Sequence, residues 1–282
     1  MIKTYYMLTK PGIIMGNAMT AAGGFALASR GHINVWLLLA TLLGVSLVVA
    51  SSGIFNNYLD READEKMERT KHRPLARKLI KGSNALIFAS CLGIGGFLIL
   101  ALYTNMLAVF TTAAGFVIYV GLYGVWKYRS IHGTLIGSLS GAVPPVIGYC
   151  AASNRFDMGA LILFLILVLW QMPHFLAIAM YRFDDYKAAD LPVLPIKKGM
   201  HVTKVHMLLY ILAFIVVALM PTVFHYTGYA YLFMAALLGL IWLGLCIQGF
   251  MSDNNRLWAR SMFRFSLVTI TLLCVMLSID TA

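Results

Sequence analysis

Nine stretches of this 282-residue sequence stay apolar for about the 20 residues a helix needs to cross a bilayer, and together they use up most of the chain. They fall at about 12–28, 35–55, 85–103, 107–125, 134–151, 159–181, 206–223, 229–250 and 262–279. Lipid offers no partner to a backbone amide, so each span must bond its own peptide groups, and these runs are far longer than barrel strands. The expected fold is an all-α integral membrane protein, a bundle of nine transmembrane helices, with 1–282 forming a single membrane-embedded domain. Composition agrees: 60% of residues are hydrophobic and 12% charged, which leaves almost no room for a water-soluble enzyme. Lys3 and Lys10 ahead of an apolar run look like a signal peptide, but eight further runs follow, so this segment reads as a retained first span. Cys91, Cys150, Cys246 and Cys274 stand singly in apolar surroundings, without a metal or haem-attachment spacing, and read as small core residues.

The net charge of +11 does not imply a nucleic-acid partner, because basic residues in a membrane protein record which loops stay in the cytoplasm. Placing the N-terminus inside puts twenty of the 22 Lys and Arg on one face and leaves Arg30 and Arg155 on the other. Nine spans with a cytoplasmic N-terminus and an outside C-terminus follow. A short chain without a transit segment fits a bacterial inner membrane.

Two loops on that inner face are long, about 56–84 and 182–205, and they hold eight of the eleven acidic residues. Their positions, four helices apart, allow two similar four-helix halves with a ninth span added. Residues 56–64 read Asn-Asn-Tyr-Leu-Asp-Arg-Glu-Ala-Asp and continue span 2 directly. If the helix continues, Asn57, Asp60 and Asp64 share one face, with Asn56 at its edge. Two carboxylates and amide oxygens suit Mg²⁺, whose shell substrate phosphates and water would complete. The same residues also fit a solvated helix terminus carrying pairs such as Glu62 with Lys66. Arg69, Thr70, Lys71, Arg73 and Arg77 come next, and guanidinium groups suit phosphate oxygens, although a cytoplasmic loop is expected to be basic anyway. The second loop opens with Arg182-Phe183-Asp184-Asp185-Tyr186-Lys187 and reaches Asp190, again setting carboxylates beside cations. Two such clusters could each hold a Mg²⁺ and grip a diphosphate between them, an active site toward the cytoplasm. Asp60, Asp64 and Asp185 are the catalytic candidates, and Asn57 joins them as metal ligands. Asn56, Asn57, Arg69, Arg73, Lys127, Lys187 and His174 are the substrate-binding candidates.

Within the membrane, Pro173 in Trp170-Gln171-Met172-Pro173-His174 and Pro144-Pro145 after Gly141 interrupt spans 6 and 5, as expected where helices line a cavity. His174, Gln171 and Asn17 are polar at lipid depth, which fits either a functional site or simple interhelical hydrogen bonds.

These residues resemble the intramembrane prenyltransferase superfamily, and within it the branch that works on protohaem. The likeness is carried by 56–64 with Met67, Arg69-Thr70 and Arg73-Pro74-Leu75, by Lys10-Pro11-Gly12, by Gly133–Gly137 with Pro144-Pro145, by Trp170–Phe175, and by Arg182–Tyr186 with Pro192 and Leu194-Pro195. It spans residues 10 to about 266. The resemblance implies transfer of farnesyl from farnesyl diphosphate to a vinyl group of protohaem IX (haem b), with addition of water, giving haem O and diphosphate. It implies Mg²⁺ as cofactor, with haem and farnesyl diphosphate as substrates, membrane lipid around the protein, and haem-copper oxidase biogenesis proteins as partners. By resemblance, Asn57, Asp60 and Asp64 take the first metal-diphosphate role, Arg69 and Arg73 contact phosphate, and Asp185 takes the second acidic position. The superfamily's pattern has Asp where Asn57 stands and a later Asp-x-x-x-Asp that this chain lacks. An aromatic or quinone-precursor acceptor would use the same loops with a different cavity. A cation-coupled transporter would place its carboxylates near the midplane instead.

Overall fold

The computed structural model describes residues 2–281. Among the described residues nine helices are long and apolar enough to span a membrane: α1 (Pro11–Ser29), α2 (Val35–Lys66), α3 (Gly82–Tyr103), α4 (Met106–Trp126), α5 (Gly133–Ser153), α6 (Met158–Tyr181), α7 (Leu194–Val223), α8 (Tyr229–Met251) and α9 (Asn255–Ile279). A short helix at Ile2–Leu8 precedes them, and another at Phe183–Ala188 lies between α6 and α7. Among the described residues there is no strand, only an isolated bridge between Thr227 and Thr281. Asn34, Asn105, Asp157 and Asn254 start α2, α4, α6 and α9 by accepting a hydrogen bond from a first-turn amide, the group a helix start leaves without a partner.

Helices α5 and α6 are buried over most of their length, whereas α3 and α4 turn Ile87, Ile94, Leu98, Leu102 and Phe110 outward. An apolar exterior of this kind is unfavourable in water and neutral in lipid, which agrees with an integral membrane protein. Without a hydrophobic force between helices, association depends on close packing and buried hydrogen bonds. Both are present. Ser51 on α2 donates to the Ala89 carbonyl of α3 at 2.7 Å. At the crossing of α1 with α5, a Cβ on Gly24 would collide with the Pro145 carbonyl, and one on Gly148 with the Ala21 carbonyl. The two backbones touch because neither helix has a side chain there.

Several span boundaries differ from the sequence reading, each for a local reason. Helix α2 does not stop near 55 but runs on to Lys66, so the acidic stripe is helical. Helix α5 breaks at Ala142, and its second piece begins with Val143, Pro144 and Pro145, where proline is tolerated because a first-turn amide needs no partner. The interruption expected in span 6 is absent, since α6 passes through Pro173 as one helix. Helix α7 starts at Leu194 rather than 206, with a kink at Gly199, whose φ of 84° is open to glycine. Helix α4 carries a π-helical turn at Ile118–Tyr123 that no hydropathy pattern announced. Cys150, Cys246 and Cys274 are buried as expected; Cys91 is instead exposed on α3.

The α1–α5 crossing makes a direct prediction. Gly148→Ala forces a methyl against backbone, for which overpacking costs of about 1–3 kcal/mol are usual. Its thermal midpoint in detergent should fall below that of the wild type, while Gly95→Ala, with nothing within 4 Å of the added carbon, should not. Equal midpoints for Gly148→Ala and wild type would refute the close approach.

Candidate active site

The C-terminal three turns of α2 point one row of side chains into a large cavity: Asn56, Asp60 and Asp64, each four residues from the next. Asp64 is almost wholly buried, and the Arg73 Nη1 reaches both of its carboxylate oxygens at 2.9 and 2.8 Å. The turns after α2 make this possible. Thr70, itself buried, donates its hydroxyl to the Asp64 carbonyl at 3.2 Å and folds the chain back so that Arg73 returns to the helix. Asp60 pairs with the Lys127 ammonium and accepts a hydrogen bond from the Tyr128 hydroxyl. Asn56 accepts from the Lys10 ammonium at 2.7 Å. Each polar group of the stripe has therefore gathered a cation or a phenol from a different part of the chain.

Charge at this mouth is finely poised. Desolvation pulls the Lys10 ammonium down to about 7, with repulsion from Arg73 next and attraction to Asp60 opposing both. Burial also lowers Lys127, against the pull of Asp60. Burial first, and then the nearby Asp60 carboxylate, raises the Tyr128 phenol. An anion bound among Lys10, Arg73 and Lys127 would favour their charged forms, because an opposite charge offsets the desolvation.

The cavity has a volume of about 860 Å³, within the range of small-molecule sites. Its polar end carries Lys10, Asp60, Asp64, Arg69, Arg73, Lys127 and Arg182. Its deep walls are mostly apolar, with Val45, Ile147, Leu167, Phe175, Phe263 and Ile270 among them, and Gln171 and His174 as polar exceptions. The π-turn of α4 shapes the near wall. One extra residue per turn re-aims the end of the helix, and Tyr119, Tyr123 and Lys127 all line the cavity. Tyr119 and Tyr123 stack at 5.4 Å, and the Lys127 ammonium lies 5.0 Å from the Tyr123 ring.

The sequence and the bundle both have counterparts among known proteins. Residues 17–268 match the UbiA prenyltransferase family. The chain belongs to that family. Relatives from Edwardsiella ictaluri and Yersinia enterocolitica, both named protoheme IX farnesyltransferase, are 56% and 57% identical over 281 residues, covering 99% of this chain and 95% of theirs. The resemblance to the haem branch of the prenyltransferases is borne out. Among solved structures, digeranylgeranylglyceryl phosphate synthase shares the fold with a TM-score of 0.82 at 20% identity, over 99% of this chain and 98% of that one. A UbiA homologue from Archaeoglobus fulgidus bound to GPP and Mg²⁺ gives a TM-score of 0.72 at 14% identity, over 98% and 99%.

The family member's geometry departs from the sequence reading in three places. The two asparagines exchange roles: Asn56 faces the cavity, while Asn57 does not line it and donates to the Leu8 carbonyl at 2.9 Å. An i, i+3 step and an i, i+4 step fall almost equally close on a helical wheel, and only the docking of the N-terminal helix decides between them. Asp185 does not reach the cavity either; it faces Arg182 at 3.8 Å, and it is Arg182 and Tyr186 that line the chamber. Lys187 and Asp184 point outward, as does Asp190, and the second loop contributes Leu191, Pro192 and Val193 instead. The expected second acidic cluster is therefore not on the wall. Arg69, Arg73, Lys127 and His174 are all in the lining, as is Asn17, whose amide donates to the Ile13 carbonyl at 2.7 Å.

Sequence reasoning did not assign site roles to Lys10, Tyr119, Tyr123, Tyr128 or Arg182. Lys10 stood in the Lys10-Pro11-Gly12 part of the family resemblance, but as one of the basic residues that flank a span for topological reasons it pointed to no contact with the acidic stripe. The tyrosines did leave a trace, a Tyr-x-x-x-Tyr-x-x-x-Lys run at the end of span 4.

Removing one partner of a buried ion pair leaves the other charge uncompensated, at a cost of about 3–5 kcal/mol. Arg73→Ala should therefore lower thermal stability in detergent clearly, and Arg73→Ala with Asp64→Ala should recover much of the loss. An additive double mutant would show that Arg73 and Asp64 are not coupled.

Proposed function

We propose that this chain transfers the farnesyl group of farnesyl diphosphate to a vinyl group of protohaem IX, with addition of water, releasing diphosphate and giving haem O. One observation carries the reading: two carboxylates and a ring of cations converge at one end of an apolar cavity, in a chain more than half identical to proteins named protoheme IX farnesyltransferase. An aromatic or quinone-precursor acceptor is the alternative, and the same assay separates the two.

The donor set fits Mg²⁺. Asp60 and Asp64 present two carboxylates one turn apart, with the Asn56 amide a turn below, all oxygen-bearing groups on the cavity side. Among the described residues no group of three His, Cys, Asp or Glu converges, so the chain supplies the one or two carboxylates that Mg²⁺ usually takes, and substrate phosphate and water supply the rest. When bound, Mg²⁺ neutralises charge on the leaving diphosphate. Arg73 and Lys127 already lie on the carboxylates and are placed to turn to phosphate oxygens, with Lys10, Arg69 and Arg182 around them. Asn57 acts indirectly, fixing the N-terminal helix that carries Lys10 toward the site; Asp185 holds Arg182. Lys187 has no direct role. Donors fixed where charge develops lower the barrier to loosening the allylic C–O bond, since they need no rearrangement as the reaction proceeds. The Tyr119 and Tyr123 rings offer π-faces to the positive charge growing on the allyl, and the apolar wall keeps water from it until the vinyl carbon attacks.

The charge asymmetry of the loops supports a cytoplasmic N-terminus, an outside C-terminus and an active site opening to the cytoplasm of a bacterial inner membrane. The whole chain acts as one domain, fed by two amphiphilic substrates, and its product serves terminal oxidases whose biogenesis proteins are natural partners. A membrane-impermeant label attached at Lys71 should react only from the cytoplasmic side of oriented vesicles.

Asp60→Asn and Asp64→Asn should each lower farnesyl transfer at least about 100-fold, the usual scale for losing one transition-state contact, without changing elution in detergent. Mass spectrometry of protohaem incubated with farnesyl diphosphate and Mg²⁺ reads the product. Chelation should stop the wild type and added Mg²⁺ restore it. Wild-type turnover by either variant would end the assignment, and prenylation of an aromatic acid in place of haem would select the alternative.

A further inference from the structure

His174 lies in the deep wall of the cavity and is anchored in an unusually complete way. Its Nδ1 is 2.7 Å from the Ser266 hydroxyl of α9. That hydroxyl has a single proton, and it donates this proton to the Phe263 carbonyl at 2.6 Å. Ser266 Oγ can therefore only accept from the imidazole, so the hydrogen sits on Nδ1 and Nε2 keeps a free lone pair. Nε2 makes no hydrogen bond among the described residues, and His174 forms no ion pair that would hold a proton on the ring. The ring is clamped on its faces, stacked on Trp170 at 4.7 Å and tilted against Phe263 at 5.1 Å. Trp170 is anchored on the same residue, its indole N–H donating to the Ser266 carbonyl at 2.8 Å.

A histidine with its tautomer fixed by an acceptor at Nδ1, its plane held by aromatic neighbours and its Nε2 left bare beside an apolar chamber has the arrangement of a metal-ligating imidazole. Among the described residues no side chain groups with it to hold a metal ion, so the metal must come with the ligand. We infer that His174 Nε2 is an axial ligand to the iron of the porphyrin substrate, which it binds and orients for prenylation.

The inference rests on the haem reading of the preceding section. Its consequence is positional. His174 lies seven residues before the end of α6 at Tyr181, about 12 Å along the helix axis from the level of Arg182. Iron held at that depth keeps the metal away from the diphosphate end and leaves the porphyrin edge, where the vinyl groups are, to meet the allylic carbon. Ligation exchanges water on the iron for a neutral nitrogen and transfers neither proton nor electron, so it requires no additional reactant. Ser266 is a positioning residue that acts through His174.

The test loads detergent-purified full-length protein with protohaem and records the resonance Raman spectrum of the ferrous form, with farnesyl transfer measured in parallel. The expected result is an iron–histidine stretching band in the wild type, lost in His174→Gly and restored by added imidazole. Ser266→Ala should keep the band but shift it, with roughly tenfold weaker haem binding, the usual scale for removing a partner behind a metal ligand. His201→Ala, on the exposed side of α7, should leave the band unchanged. A wild type that farnesylates haem without showing the band, or a His174→Gly protein that retains it, overturns the ligation and leaves the transferase reading standing. Wild-type protein that neither binds nor farnesylates haem overturns both. His174→Gln guards against misfolding: a protein that elutes like the wild type and still shows the band counts against the proposal as fully as His174→Gly would.

Discussion

An ionised carboxylate inside an apolar bundle is tolerable only if cations come to it, and the active-site end of this protein is organised around that demand. Asp64, nearly inaccessible, is met by Arg73, and Asp60 by Lys127 and Tyr128. The cations themselves are partly desolvated, which is why Lys10 and Lys127 are shifted downward. Such a cluster gains little net stability, because desolvation consumes most of the attraction. Its value lies in being ready: the groups that balance the carboxylates are the same groups that suit a diphosphate, and they are in place before it arrives.

The remainder of the bundle serves to hold that cluster at the mouth of a dry chamber. Glycine against backbone at the α1–α5 crossing brings two spans close, and the break at Ala142 lets α5 bend around the cavity. The π-turn in α4 swings Tyr119, Tyr123 and Lys127 onto the same wall. Helices α3 and α4 shield the site from lipid while offering lipid an apolar exterior. Among the polar groups at depth, Trp170, His174 and Ser266 form one bonded unit, whereas Gln171 Oε1, the Tyr231 hydroxyl and the Trp242 indole N–H are buried without a hydrogen-bond partner among the described residues.

How far the site could be read from the chain depends on the range of the interaction. That Asp60 and Asp64 share one face if α2 continues was legible because helical spacing is local, and so was the basic run that follows; that α2 does run on to Lys66 came from the structure. The choice between Asn56 and Asn57 was not, since it depends on contact with Leu8, 49 residues away. Asp185 looked like a partner of the first cluster, but the short helix at Phe183–Ala188 turns it toward Arg182. Pro173 looked like a break, yet α6 is buried between neighbours that keep it helical.

Sequence alone determined the number and nature of the spans, the all-helical fold and the position of the acidic stripe, because each follows from hydrophobicity or spacing within one segment. Tertiary structure decided which cation meets which carboxylate, which tyrosines face the chamber, and which nitrogen of His174 is free. Those outcomes depend on pairs of residues tens of positions apart, 46 between Lys10 and Asn56 and 92 between His174 and Ser266, and such pairs exist only once the helices have packed.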